Sequence, residues 1–231
     1  MIYIVIAIIL LFAICLSIAN YAPKHFMNTY KKYSQYLVDV DYTAGDFAVH
    51  IAKRFPELKL ARIDGELTDA FYPKKNTICL TETTIYSKSV AAFAVVAHEF
   101  GHAIQYNTKN FRFKFCMKAS MFANIFSRLT FPLLIIGAIL AFTEIAPMAV
   151  AYGLLIAGAT IFTVSFLVKI LTIPIEYEAT DFGLKTLKEN NILNKKGMRM
   201  ARKVLKSAGL TYVSSLLSSM LAWTFMVPKY K

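Results

Sequence analysis

Residues 130–168 hold almost forty residues with a single charge, Glu144, and this block leaves the chain few ways to fold. A backbone in an apolar medium must satisfy its own N–H and C=O groups, so a stretch of this kind reads as helix. Residues 130–143 and 146–168 form two apolar runs with an interruption near Glu144 and Pro147, which predicts a helical hairpin with a very short turn. Gly137, Gly153 and Gly158, with neighbouring alanines, suit close helix packing in lipid. The alternative is a buried core hairpin in a soluble domain. At 57% hydrophobic residues, the 231-residue chain is more apolar than a soluble domain of that length, which favours membrane spans.

Two further segments belong to this reading. Residues 2–19 carry no charge over eighteen positions, close to the length that crosses a bilayer core. No basic residue precedes them, so an uncleaved anchor fits better than a signal peptide. Residues 210–227 are apolar but diluted by four serines, with Trp223 near the end, and either span or lie at the interface. The net charge of +12 is unevenly placed: residues 21–128 hold 15 Lys/Arg against 9 Asp/Glu, and residues 169–210 hold 9 against 4. The hairpin turn has no Lys or Arg. By the positive-inside rule both basic segments are cytoplasmic and the N-terminus is outside. A spanning 210–227 would put Lys229 and Lys231 outside, against the rule. Basicity alone could also serve nucleic acid, but no recognition module or basic-aromatic patch is present, so no nucleic-acid partner is expected. Cys15, Cys79 and Cys116 match neither a CxxC pair nor a disulfide framework and read as free thiols in a reducing compartment.

The polar sequence ahead of the hairpin carries the chemistry. Residues 27–55 look helical with a break near Asp41–Gly45. Leu58–Ile63 alternates weakly, Asp64-Gly65 signals a turn, and Thr77–Thr81 is β-prone, so two or three short strands are expected, with 76–81 as a candidate open edge for an extended peptide. One long helix should then run from Thr83 to about Asn107. On it lies His98-Glu99-Phe100-Gly101-His102, which contains half of the four histidines in the chain. Side chains four apart share a helix face, so two imidazoles can hold one Zn2+, and Glu99 beside them can act on a water.

A catalytic zinc usually has a third protein ligand. No HExxHxxGxxH extension exists, because Asn107 and Lys109 follow. His25 and His50 read more simply as core or surface residues. The segment Pro174-Ile175-Glu176-Tyr177-Glu178-Ala179-Thr180 offers two carboxylates. Pro174 suits the first turn of a helix, and Glu176 shares a face with Ala179 and Thr180. Glu178 lies about 200° round the helix from Glu176, so one of the two, not both, can face a metal. Spacing leaves the choice open.

Val96-Ala97-His98-Glu99-Phe100-Gly101-His102-Ala103-Ile104-Gln105, the Pro174–Thr180 segment and the pattern of apolar runs together resemble the neutral zinc metallopeptidases of bacterial membranes, the YugP type. The resemblance covers nearly the whole chain. It implies a zincin-like peptidase with Glu176 as third ligand. Other membrane-bound HExxH peptidases usually have Asp after the Ala of this segment, where this chain has Thr180. Where the family pattern resembles G-x-L-T-D-H-Y-D-P, this chain reads Gly65-Glu66-Leu67-Thr68-Asp69-Ala70-Phe71-Tyr72-Pro73, with Ala70 and Tyr72 at the His and second Asp positions.

The expectation is a mostly α, α+β integral membrane protein with three to four transmembrane helices. It comprises an anchor (2–19), a cytoplasmic metallopeptidase part (20–128), a hairpin (130–168), a cytoplasmic helical part with the third ligand (169–209) and the segment 210–227. In the expected chemistry, zinc on His98, His102 and Glu176 activates water, Glu99 is general base, and a peptide or protein, membrane proteins included, is hydrolysed on the cytoplasmic side of a multi-pass cell membrane protein. Tyr106, Tyr177 and Tyr212 are candidate donors to the oxyanion. The competing expectations are a zinc-binding scaffold or chaperone without activity and an intramembrane metalloprotease. The latter would embed HExxH in a span and carry a downstream Asp-Gly, whereas Asp64-Gly65 lies upstream.

Overall fold

The computed structural model describes residues 2–108 and 110–224, with side chains for 17, 18, 20–108 and 110–215. The elements in chain order are α1 (Ile2–Ser34), α2 (Ala44–Ala52), β1 (Lys59–Ile63), β2 (Ala70–Tyr72), β3 (Thr77–Thr81), α3 (Glu82–Ile85), α4 (Val90–Asn107), α5 (Phe111–Thr143), α6 (Met148–Glu189) and α7 (Lys195–Thr224). The protein is mostly helical with one small sheet. It divides into two compact units: Met1–Asn110 with Pro174–Lys231, and Phe111–Ile173.

In the first unit α4 is the centre. Val90–Ala94, Val96, Ala97, Phe100 and Ala103 are buried, and Phe93 meets Phe47 of α2 at a ring separation of 5.4 Å. α2 is started by a capping box, in which Thr43 and Asp46 satisfy each other's backbone N–H groups. α7 packs on both α1 and α4. The sheet order is β1-β3-β2, with β1 parallel and β2 antiparallel to β3. β3 is thus the central strand and four of its five residues are buried. The expected open edge at 76–81 is corrected on this point. A short β-prone run does not encode its pairing partners, and here β3 is paired on both sides.

The expected single helix from Thr83 is also corrected. The chain makes the one-turn α3, breaks at Tyr86–Ser89 and restarts as α4. Hydroxyls cap two separate starts: Thr81 accepts from Thr84 N–H at the head of α3, and Ser89 Oγ accepts from Ala92 N–H at 3.2 Å at the head of α4. Pro174 is inside α6 rather than in a first turn, and α6 runs on without a stop for 42 residues.

In the second unit α5 and α6 are joined at Glu144, which takes a left-handed φ of 55°. Both helices are long and apolar enough to cross a membrane, and only 11% of each apolar window is buried. Phe142 and Ile145 stand almost fully exposed. A buried soluble core would hide such side chains, so that alternative fails here. Gly137 and Gly158 allow the close contact expected of them, the first against the Ala151 carbonyl and the second against Leu134. Gly153 does not, since nothing lies within 4 Å of its would-be Cβ. Among described residues two helices qualify as spans. The readings of 2–19 and 210–227, with Cys15, Trp223, Lys229 and Lys231, fall largely or wholly outside the described side chains, although the backbone is helical over Ile2–Ser34 and Lys195–Thr224. Cys79 and Cys116 are free.

A small-residue seam joins α4 to the C-terminal half of α6. A Cβ on Gly101 would lie 2.1 Å from the Ala179 carbonyl oxygen, and one on Gly183 2.7 Å from the Ala97 carbonyl oxygen. Backbone cannot yield as a side chain can. Gly101→Ala should therefore cost about 1–3 kcal/mol. Gly153→Ala, in open space within a helix, should be neutral or stabilising by up to about 1 kcal/mol. Thermal unfolding in detergent checks the pair, and equal transition temperatures would contradict the seam.

Candidate metal centre

His98 and His102 sit one turn apart on α4 with ring centroids 4.8 Å apart. The seam brings Glu176 of α6 against them. Glu176 Oε2 lies 3.4 Å from His98 Nε2 and 3.3 Å from His102 Nε2, and all three side chains are largely buried. Two atoms bound to one tetrahedral zinc at about 2.0–2.1 Å are about 3.3 Å apart, so these separations match two edges of such a site. Glu176 Oε2 is buried and faces both imidazole nitrogens. A buried carboxylate oxygen is costly unless a cation completes it, and here either an imidazolium or a metal ion between the three side chains can do so. The donor set of two imidazoles and one carboxylate suits zinc.

Each imidazole is held from behind. His102 Nδ1 lies 3.0 Å from Gln105 Oε1. The Gln105 amide is fixed in that sense because its Nε2 donates to the Ile175 carbonyl (3.0 Å) and to Glu178 Oε2 (2.7 Å). Asn110 also donates to Glu178 Oε2 at 3.2 Å. Nδ1 is thus the protonated nitrogen toward Gln105, and Nε2 is the one presented to Glu176. Thr180 Oγ1 plays the corresponding part for His98 Nδ1 at 3.3 Å. The alternatives left open by spacing separate here. Glu176 faces the histidines, while Glu178 supports Gln105. His25 pairs with Tyr21 on α1 and His50 is exposed on α2, so neither joins the cluster. Gln105, three residues after His102, and the helix-interior Gly101 and Gly183 carry no ligand signal of their own, so their parts in orienting His102 and in the helix contact are seen only in the structure.

Glu99 is 8% exposed, and its Oε2 accepts the Phe71 N–H of β2 at 2.7 Å. β2 is seated there by Asp69, whose carboxylate accepts from Thr81 N–H (2.7 Å) and from the Thr84 hydroxyl (3.0 Å). Leu67, Asp69, His98, Glu99, Glu176 and Tyr212 line one cavity of about 220 Å3. Tyr177 also borders it, whereas Tyr106 packs its ring against Phe71 at 5.8 Å and is not among the lining residues. Burial pushes the Glu99 carboxyl up, and the His98 and His102 imidazoles and the Phe71 N–H oppose this without cancelling it. Burial also disfavours a charged His102, but the Glu176 carboxylate outweighs it and raises His102 to about 9. The same contacts hold Glu176 well below the usual carboxylate range against its own burial.

His102 is therefore protonated at neutral pH in the metal-free protein, and a metal must displace that proton. Apparent zinc affinity should rise by about tenfold per pH unit between 7 and the His102 pKa, then flatten. Competition against a chromophoric chelator, corrected for the chelator's own protonation, measures this. A flat profile over that range would contradict the ligand role of His102.

The model of the family described as "Putative neutral zinc metallopeptidase" matches residues 5–228. The "Putative membrane protease YugP" of Bacillus subtilis (strain 168) is 24% identical over 211 residues, covering 89% of this chain and 88% of that protein. No solved structure matches. With the match running over nearly its full length, this chain belongs to that family.

Proposed function

We propose that the protein is a membrane-bound zinc metalloendopeptidase, with His98, His102 and Glu176 as metal ligands and Glu99 as general base. The observation that carries this is the convergence of two imidazole nitrogens and one buried carboxylate oxygen, Glu176 Oε2 lying 3.3–3.4 Å from His98 Nε2 and His102 Nε2. A zinc ion bound there would supply a Lewis acid for a carbonyl and lower the pKa of water beside it. Glu99 borders the same cavity with a raised carboxyl, which suits taking a proton from water and returning it to the leaving amine. Tyr212 borders it close enough for the charges of Glu176 and Glu99 to act on its hydroxyl, and it is the donor we assign to the oxyanion. Of the sheet strands, β2 lies against Glu99, so it replaces 76–81 as the strand beside which an extended peptide would be held.

The fold in this reading is zincin-like: a small sheet over the HExxH helix, with three to four transmembrane helices counted from 2–19, the hairpin and 210–227. Residues 20–128 and 169–209 are cytoplasmic, which places the site on the cytoplasmic side of a multi-pass cell membrane protein. Its substrates are peptides or proteins, membrane proteins among them. Ala70 and Tyr72, standing where the family pattern has His and Asp, favour a second reading as a zinc-binding scaffold or chaperone.

The test combines zinc content and hydrolysis of casein or unfolded membrane protein by the detergent-purified chain. Wild type should hold near one zinc and cleave. Glu99→Gln should keep the zinc and lose at least about 100-fold in rate. Glu176→Ala should lose both, while Glu178→Ala should retain zinc. Zinc without hydrolysis in wild type would select the scaffold, and an active Glu99→Gln would remove the mechanism.

A further inference from the structure

A second cavity, of about 590 Å3, opens between α1 and α7. From α1 it is lined by His25, Asn28 and Lys32, and from α7 by Lys203, Lys206 and Ser207. His25, Asn28 and Lys32 are three, four and seven residues apart, and Lys206, Ser207 and Leu210 follow Lys203 by three, four and seven, so each helix gives one continuous stripe to the cavity. No Asp or Glu is among the lining residues. Among the described residues, none of the three lysines has a carboxylate partner, whereas Lys185 pairs with Glu189. Three ammonium groups around one cavity repel one another, and an anion relieves that repulsion.

The place is as specific as the charge. The uncharged stretch 2–19 ends six residues before His25, or about 9 Å along a helix. On α7 the cavity ends at Leu210, where the apolar segment 210–227 begins. The cavity therefore lies at the polar end of both apolar segments, at headgroup depth if those segments enter the bilayer. Lysine stems can reach back along apolar surface while the ammonium stays with phosphate. The other faces of the same helices carry Phe26 and Tyr212 of the metal cavity, so the two sites share walls but not residues.

We propose that this cavity is a binding site for a phosphate-bearing anion, and that Lys32, Lys203 and Lys206 hold the phosphate. An anionic phospholipid headgroup and a soluble phosphate both carry that chemistry. The site does not depend on the zinc reading.

Native mass spectrometry of the full detergent-purified chain tests it, with phosphatidylglycerol, phosphatidylcholine and inorganic phosphate as probes. Phosphatidylglycerol should bind in preference to phosphatidylcholine, and Lys203→Gln/Lys206→Gln should weaken it by about tenfold. The charge-matched Lys53→Gln/Lys59→Gln, on exposed positions away from the cavity, should bind as wild type. If the α7 variant does not fold, Lys32→Gln on the other helix should still weaken binding several-fold. Displacement of the lipid by millimolar phosphate would identify a soluble phosphate as ligand, and resistance to it would identify the headgroup. Glu176→Ala should bind phosphatidylglycerol unchanged, which separates this site from the metal centre. Equal binding by wild type and cavity variants, or equal weakening by the Lys53/Lys59 control, would overturn the proposal and leave only diffuse surface charge.

Discussion

The candidate metal centre depends on how closely two helix backbones approach. His98 and His102 are set by one turn of α4, but their carboxylate partner comes from α6, beyond the whole apolar hairpin. Gly101 against Ala179 and Gly183 against Ala97 let those backbones touch, and the contact fixes both spacing and register. One helical turn of slip is about 5.4 Å, more than the distance from Glu176 to either imidazole. That one residue of the HExxH pentapeptide, Gly101, serves packing rather than chemistry follows from the same contact.

Around this seam the polar groups form one connected support. Glu178 and the Ile175 carbonyl orient Gln105, Gln105 orients His102, and Thr180 meets His98. α6 thus brings Glu176 to the imidazoles, Thr180 to His98 and both acceptors of the Gln105 amide within one and a half turns. On the other side Asp69 ties the β2 segment to the α3 cap, and β2 delivers a backbone N–H to Glu99. Such arrangements hold ligands near their bound geometry before a metal arrives, which reduces the ordering cost of binding.

How much of this could be read beforehand depended on the range of each interaction. The HEFGH pair was legible because helical periodicity is local, and the hairpin because apolar length is. Strand β1 was visible from weak alternation and β3 from β-propensity, but that β3 is central is a matter of pairing partners, which a five-residue pattern does not encode. The separate starts of α3 and α4 are capped by hydroxyls at Thr81 and Ser89, within a Thr/Ser-rich stretch that also suits a helix start at several other positions. Glu176 and Glu178 are equivalent in composition and differ only in which side of α6 meets α4. Gln105 and the glycines act across the helix interface, where a single sequence carries no pairing information. Pro174 misled as a helix start because its lost backbone bond is tolerated inside a long helix.

Zinc K-edge absorption on the detergent-purified chain, after equilibration with one equivalent of zinc, tests the central claim most directly. The account predicts a four-coordinate site with only nitrogen and oxygen ligands at about 2.0–2.1 Å and the multiple-scattering pattern of two imidazoles. A shell near 2.3 Å from thiolate, an imidazole number other than two, or six-coordinate solvated zinc would contradict it.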